Sequence, residues 1–529
     1  MRASSGSAPI RAACGKIHVM TPSMKKIDPD RGKFIVIITA VIAVFPLMAW
    51  MVLPAAPAGF GWDETWYLWM AEWFSPRPDD KAVALSMLSA RQYPALFPYL
   101  LSWTGDVSSD FSNGLLMNAA LLCLGAGVTM YWLMREGMAA AVSVMAGLLL
   151  ILNPVSLGFS WLLMSEPLFI LLTILALLLA TWREPRYPDA LAIGLLAGLA
   201  IATRSAGWAL VLGLLAHLVL GRKVKVLPLW LAGLLLGLLV HLWLRAGLPE
   251  AHSYWQGFQE NLARVDMGYL VNQLSAMADG WVRLWGSVPG ALLMAAWVLP
   301  GFLLRLRGAR ADAWYILVTG LMLVAWPFPG QMDRFLWVLI PALLICGQTT
   351  VMRVEWMKSR GFVGGVVVFL VLALSVPNGL GRNIDRLLHP PGEGLDYMAR
   401  MSPWTRTESR DDALMTLRAS HQLLEDVRRI PDEAADSGCV YSEYPALVSI
   451  QSGRVAFASP WNTLQQLSAT SLGCPYYYLV PDALPGVTKA DIEALSAAHQ
   501  ELFRSSAPYD PSGQAVLGVF YRLNVTESH

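Results

Sequence analysis

Charge is scarce in this chain: only 15% of its 529 residues are Asp, Glu, Lys or Arg, against 55% hydrophobic residues. A composition this poor in charge is that of a polytopic membrane protein. The 39 basic and 38 acidic residues nearly cancel, leaving a formal net charge of +1, so nothing favours a nucleic-acid partner. Cysteine is also sparse, five in all, and Cys14, Cys123 and Cys346 show no metal-ligand spacing. There is no Walker-type phosphate loop, no His-Glu-x-x-His and no Gly-x-Ser-x-Gly, which argues against energy coupling through ATP. Heptads, solenoid periods and low-complexity runs are missing. No cleavable signal peptide is visible: the first apolar run follows about 33 polar residues and is long enough to stay as an anchor. That tail, residues 1–33, is expected to be cytoplasmic and disordered, with Met20 or Met24 as alternative starts.

What the chain does have is apolar length. About 20 apolar residues cross a hydrocarbon core of about 30 Å. Eleven segments qualify on this reading, near 34–54, 113–133, 138–157, 161–181, 189–203, 206–220, 226–244, 287–304, 311–327, 334–352 and 361–377. Mean hydropathy over the whole chain is +0.48. Basic residues then fix the orientation. Arg135, Arg183, Arg186, Arg222, Lys223, Lys225, Arg305, Arg307, Arg310, Arg353, Lys358 and Arg360 fall in alternate short loops on the side of the basic N-terminal tail. The longer opposite loops hold few, so the N-terminus is expected inside, and loops 55–112 and 245–286 outside with residues 378–529.

The C-terminal region changes character. Tyr476–Val480 and Val516–Tyr521 read as strands, and Lys489–Phe503 has helical spacing, which predicts a small extracytoplasmic α/β domain over 378–529. Its cysteines, Cys439 and Cys474, would sit in an oxidising compartment, where a disulfide is one reading and two unpaired thiols the other. Asn524-Val525-Thr526 is a chance-level sequon.

Topology gathers a set of polar residues at the outer helix ends. Asp63 and Glu64, in Gly61-Trp62-Asp63-Glu64-Thr65-Trp66-Tyr67, follow the first span. Trp66, Trp69, Met70 and Trp73 at helical spacing suggest a helix lying in the membrane interface, which either carboxylate could simply cap. In Arg91-Gln92-Tyr93-Pro94-Ala95-Leu96-Phe97-Pro98-Tyr99 two prolines predict an extended, aromatic-lined turn. Glu166, in Ser165-Glu166-Pro167, is expected a turn or two inside the fourth span; it either faces a cavity or marks a helix break at Pro167. Arg204, in the turn after the fifth span, and Arg334, opening the tenth, run against the positive-inside bias. Snorkelling or pairing with Asp333 is the plainer account of Arg334. Arginine suits a phosphate, because its planar donors bind two oxygens and never lose their charge. A carboxylate suits an acceptor hydroxyl that must lose its proton. Together they fit group transfer from a lipid phosphate.

In order along the chain, the acidic pair, the Pro/aromatic stretch, Ser165-Glu166-Pro167-Leu168-Phe169, Thr203-Arg204-Ser205-Ala206-Gly207 and Asp333-Arg334-Phe335-Leu336-Trp337 resemble the GT-C glycosyltransferases. They most resemble the branch of protein O-mannosyltransferases and lipid A aminoarabinose transferases, over about residues 34–377. The resemblance implies an all-α polytopic bundle and an inverting transferase whose donor is a sugar on a polyprenyl phosphate. It places Asp63 at the catalytic carboxylate, with Glu64 assisting or helping to bind a divalent cation such as Mg or Mn. Arg204 and Arg334 would hold the leaving phosphate, while Arg91, Tyr93 and Glu166 would line the site. In this branch a basic residue and tyrosines stand deeper in the first loop, for which Arg91 and Tyr93 are approximate matches, and Arg334-Phe335 replaces the usual Arg-Tyr.

The acceptor would be a lipid, glycan or protein, and the compartment a bacterial inner membrane with a periplasmic C-terminal domain. A lipid-linked sugar flippase is the competing class, with His217 and His241 as its proton-coupling candidates. A non-catalytic assembly partner of the same fold is the third.

Overall fold

The computed structural model describes residues 29–52, 62–75, 93–105, 112–159, 162–182, 187–248, 266–326, 331–353, 438–442, 474–480, 488–506 and 516–523, with short pieces within 365–374, 422–433 and 448–458. The N-terminal tail up to residue 28, Arg91 and most of the segment 361–377 lie outside the described residues.

Helices dominate the first two thirds of the chain. In order they are α1 (Pro29–Val52), α2 (Trp62–Phe74), α3 (Leu96–Leu101), α4 (Ser112–Arg135), α5 (Ala140–Leu152), α6 (Pro154–Phe159), α7 (Glu166–Trp182), α8 (Tyr187–Thr203), α9 (Gly207–Leu220) and α10 (Leu227–Arg245). The series continues with α11 (Met267–Leu284), α12 (Val288–Arg307), α13 (Ala311–Val324), α14 (Met332–Trp337) and α15 (Ile340–Arg353). Four described helices are long and apolar enough to cross a membrane, within Gly32–Ala49, Ser112–Arg135, Val224–Arg245 and Val288–Arg307. Five shorter apolar helices accompany them.

Eleven full-length spans are therefore not what the described helices give, and the reason lies in breaks that hydropathy overlooks. The segment 138–157 divides at Asn153-Pro154, where the Asn153 carboxamide accepts the Val155 N–H at 2.8 Å and donates to the Leu284 carbonyl at 2.5 Å. The segment 334–352 divides between α14 and α15. The first helix already begins at Pro29, inside the expected tail, because proline lacks only an N–H that a first turn leaves unpaired.

Packing is closest between α8 and α10, where glycines replace side chains: a Cβ on Gly198 would lie 2.7 Å from the Gly237 Cα. Backbones brought this near gain dispersion contact that lipid cannot supply. At the C-terminal end of α12, buried Arg305 donates to both Asp312 oxygens (2.5 and 3.1 Å), to Glu136 at 3.2 Å and to Thr349 at 3.1 Å. This charge is compensated on every side, so it staples α12, α13, α15 and the end of α4.

The C-terminal region carries the small sheet. Its strands are β1 (Val440–Ser442), β2 (Ala456–Ala458), β3 (Tyr476–Leu479), β4 (Gln500–Ser506) and β5 (Val516–Arg522), in the order β2-β1-β3-β5-β4. β1 pairs in parallel with β2 and β3, while β5 runs antiparallel to β3 and β4. One helix, α16 (Lys489–Ala498), opens with a reciprocal capping box between Thr488 and Asp491. It stops short of the expected Phe503, because Gln500–Ser506 pairs with β5 and buries Phe503 and Ser505. Cys439 and Cys474, each just ahead of one of two paired strands, form a disulfide.

Candidate active site

The site begins where α7 begins. Residues 162–165 approach it outside the helix, held by the Asn118 amide on the Leu162 carbonyl at 3.1 Å. Ser165 then accepts the Phe169 N–H at its carbonyl (3.0 Å), which makes Glu166 the first helical residue and puts Pro167 in the first turn. This corrects two sequence expectations. Glu166 opens the helix rather than lying a turn or two inside it, and Pro167 breaks nothing, since its missing N–H has no partner at a helix start.

Glu166 is 1% exposed. Its Oε1 meets Arg204 Nη1 at 2.7 Å and also receives the Nε of Arg334. Arg204 stands in the turn between α8 and α9, with its own N–H bonded to the Ala200 carbonyl at 2.9 Å. Arg334 stands in α14 and is buried, and its second terminal nitrogen reaches Met164 Sδ at 3.6 Å. A single carboxylate thus orders two guanidiniums from elements distant in sequence. Two guanidiniums thus share this one carboxylate, next to a helix N-terminus that also favours anions. The Asp333 expectation holds only for the backbone: Asp333 Oδ1 accepts the Arg334 N–H at 2.9 Å, while its Oδ2 lies 3.4 Å from Arg283.

Two residues that sequence reasoning passed over complete the arrangement. Ser165 Oγ accepts from Arg204 Nη1 at 3.1 Å and shares a 2.8 Å hydrogen bond with Tyr67 Oη. Tyr67 belongs to α2, four residues beyond Asp63, so the acidic pair and the arginine site are joined through one helical turn. The signal was available: a tyrosine at that spacing from an acidic residue shares its helix face. Tyr93 packs against Tyr67 with ring centroids 5.2 Å apart, and Phe97 meets it edge-on at 5.1 Å.

Asp63 and Glu64 fall in the first turn of α2, and their side chains lie outside the described residues. α2 packs into the protein rather than exposing a tryptophan face. Trp66, Tyr67, Leu68, Trp69, Met70 and Ala71 are all buried, which leaves no polar face for water. Nor is the Tyr93–Tyr99 stretch extended beyond Ala95. Leu96–Leu101 is helical with Pro98 in its first turn, where proline is tolerated. Among the described residues no group of three His, Cys, Asp or Glu side chains could hold a metal. His217, the candidate for proton coupling, is engaged elsewhere, by the Ala309 carbonyl at 2.5 Å and Lys223 at 3.3 Å.

The sequence matches no family profile and no curated protein. Its fold, however, has solved relatives. ArnT from Cupriavidus metallidurans bound to undecaprenyl phosphate superposes with a TM-score of 0.53 and 14% identity, over 93% of this chain and 98% of the other. The apo structure of the same ArnT gives 0.51 and 14%, over 92% and 97%. The chain has the ArnT fold. At this identity the likeness is one of architecture, and it extends from the helical region through the C-terminal sheet. The ArnT fold is also the one the ordered motifs implied, since lipid A aminoarabinose transferases are the branch they resemble.

Proposed function

We propose that this protein is a membrane glycosyltransferase that moves a sugar from a polyprenyl-phosphate donor to an acceptor hydroxyl, with inversion. The observation that carries the reading is the Arg204–Glu166–Arg334 cluster, tied through Ser165 and Tyr67 to the helix that bears Asp63. The ArnT fold, seen in one structure with undecaprenyl phosphate, supports it. In this reading the donor phosphodiester rests on the two arginines. The acceptor oxygen attacks the anomeric carbon from the opposite side and its proton passes to Asp63. The bond from that carbon to the phosphate oxygen breaks, and the phosphate leaves with the electron pair. Electrostatic stabilisation of that leaving group is the larger contribution to rate.

Glu64 supports Asp63 or caps α2, and the pair are the residues that would hold a divalent cation if one takes part. Arg91 and Tyr93 line the substrate site in this reading. We place the eleven-span topology, the cytoplasmic N-terminus and the outer location of the C-terminal domain in the same reading, in a bacterial inner membrane. The acceptor class is a lipid, glycan or protein hydroxyl, with the C-terminal domain as the element that selects it.

The test is purified protein in nanodiscs with a radiolabelled polyprenyl-phosphate sugar and a panel of envelope acceptors. Label moving to an acceptor, with stoichiometric release of polyprenyl phosphate, is the expected result. Transport of the intact donor without bond cleavage would overturn the transferase reading in favour of a flippase. Loss of turnover in EDTA and its return with Mg or Mn would assign the cation.

A further inference from the structure

The two arginines lie on segments far apart in the chain, yet one further helix touches the supports of both. From α11, Gln273 Nε2 and Tyr269 Oη donate to the Trp326 carbonyl at 2.6 and 2.9 Å. The Trp326 ring meets Phe335 edge-on at 4.9 Å, and the Phe335 face lies 5.6 Å from the Arg204 guanidinium carbon. Toward the C-terminal end of the same helix, Arg283 Nε lies 3.4 Å from Asp333 Oδ2, while Asp333 Oδ1 holds the Arg334 N–H. Between these contacts Gly280 lets α11 run against the backbone of residues 332 and 333. A Cβ at Gly280 would stand 2.9 Å from both the Asp333 nitrogen and Met332 Cβ.

We propose that α11 is the positioning element of the two-arginine site, with Arg283 acting through Asp333 on Arg334; this rests on the reading that the arginines receive a lipid phosphate. The physical need for Arg283 follows from Asp333. Its carboxylate is one residue from Arg334 and only 15% exposed. Left uncompensated at low dielectric, it would draw the Arg334 guanidinium away from Glu166 and repel an incoming phosphate. Arg283 supplies the countercharge and fixes the carboxylate where its second oxygen holds the Arg334 backbone. The Phe335 ring face braces the Arg204 guanidinium through a cation–π contact, which a planar guanidinium favours.

The experiment uses full-length protein in nanodiscs, with a polyprenyl phosphate as the binding probe and a polyprenyl-phosphate sugar for turnover. Arg283→Gln is expected to weaken probe binding about tenfold, to raise the donor KM in step and to change kcat less. Arg283→Lys should restore most of the loss, because an ammonium still balances Asp333. Asp333→Asn removes the charge that Arg283 balances and keeps an acceptor for the Arg334 N–H. The Arg283→Gln/Asp333→Asn double variant should therefore bind no more weakly than Arg283→Gln alone. Losses that multiply in the double variant would overturn the proposal, since Arg283 would then act on the phosphate independently of Asp333. Wild-type binding in Arg283→Gln would overturn it as well. Should Arg283→Gln fail to fold, the double variant, which leaves neither charge unbalanced, is expected to fold and to bind the probe within a few-fold of Asp333→Asn; much weaker binding than in Asp333→Asn would overturn the proposal. A wild type that does not bind the probe brings down the functional reading and this one with it; multiplying losses in a wild type that does bind bring down this one alone.

Discussion

Glu166→Gln is the perturbation from which the site has most to lose. The carboxylate is 1% exposed and serves both Arg204 and Arg334. Removing one partner of a buried ion network costs about 3–5 kcal/mol, because the remaining charge is left without compensation. Glutamine keeps one acceptor oxygen, which puts the expected loss near the lower end, about 3 kcal/mol. In a chain of this size that corresponds to a drop of about 3 °C in melting temperature. Melting in detergent, followed by the fluorescence of the chain's 22 tryptophans, measures it. A ligand at a hundred times its Kd contributes about 2.7 kcal/mol, so a polyprenyl phosphate should return most of the loss. The ligand-induced shift should be larger in the variant, where the phosphate takes over arginines that the wild-type carboxylate already occupies. A variant that melts with the wild type, or an equal ligand shift in the two proteins, would refute the view that Glu166 and the phosphate share the arginines.

Asp63→Asn should abolish turnover while membrane insertion and melting temperature stay at wild-type values; full activity would remove Asp63 from the proposed role of base. Replacing Cys439 and Cys474 by serine opens a cross-link spanning 35 residues and should cost the C-terminal sheet about 3–4 kcal/mol, read as faster hydrogen exchange in β1 and β3. Hydrogen bonds from Arg504 hold the Glu501 carboxyl below the ordinary glutamate value, against a smaller opposing effect of burial. A carboxylate with a lowered folded pKa stabilises above its unfolded value of about 4.3 and loses that contribution as pH falls through the folded value. Exchange in β4, corrected for intrinsic rate, should accelerate on acidification below about pH 4, and Glu501→Gln should remove the pH dependence.

The fold and the site were legible in the sequence to different depths. Charge scarcity and apolar length gave the helical class, and residues such as Ala140–Leu152 and Tyr187–Thr203 form helices where hydropathy puts them. Helix ends were harder, because a mean over a window does not register one residue. Asn153 opens a new helix with its own side chain, and the start of α7 is set by Ser165 and Pro167, all within apolar surroundings that score as continuous. Glu166, Arg204 and Arg334 stood out because each is an ionisable group at an apolar helix end, an expensive placement without a partner. That they partner one another is a tertiary fact spanning 168 residues, which no local pattern contains. Tyr67 and Ser165 were hidden for the opposite reason. A tyrosine among tryptophans and a serine before a helix each have an ordinary explanation, and only their 2.8 Å contact sets them apart. The burial of α2 was misread because its tryptophans also fit a membrane interface, and the covering residues Tyr93 and Phe97 come from a loop whose prolines suggested no helix.

The sharing of one carboxylate by two guanidiniums also bears on how the reaction would end. A donor phosphodiester brings one negative charge; once the anomeric bond breaks, the phosphate acquires a second. Stabilisation therefore grows along the reaction, which is the kind of interaction that raises kcat. The same growth makes the product the better ligand, and Glu166 limits how much better by offsetting part of the positive charge that the two arginines present. Without that carboxylate the two guanidiniums would face a product carrying up to two negative charges with one countercharge fewer. An added unit interaction at about 8 Å and an effective dielectric of about 20 is worth roughly 2 kcal/mol, so the inhibition constant of polyprenyl phosphate should fall about thirtyfold in Glu166→Gln. Donor KM should fall less and kcat should fall with it, limited by product release. Progress curves with added polyprenyl phosphate measure this directly. Unchanged product inhibition alongside a reduced kcat would mean that Glu166 acts only by shaping the arginines and not by setting the charge they present.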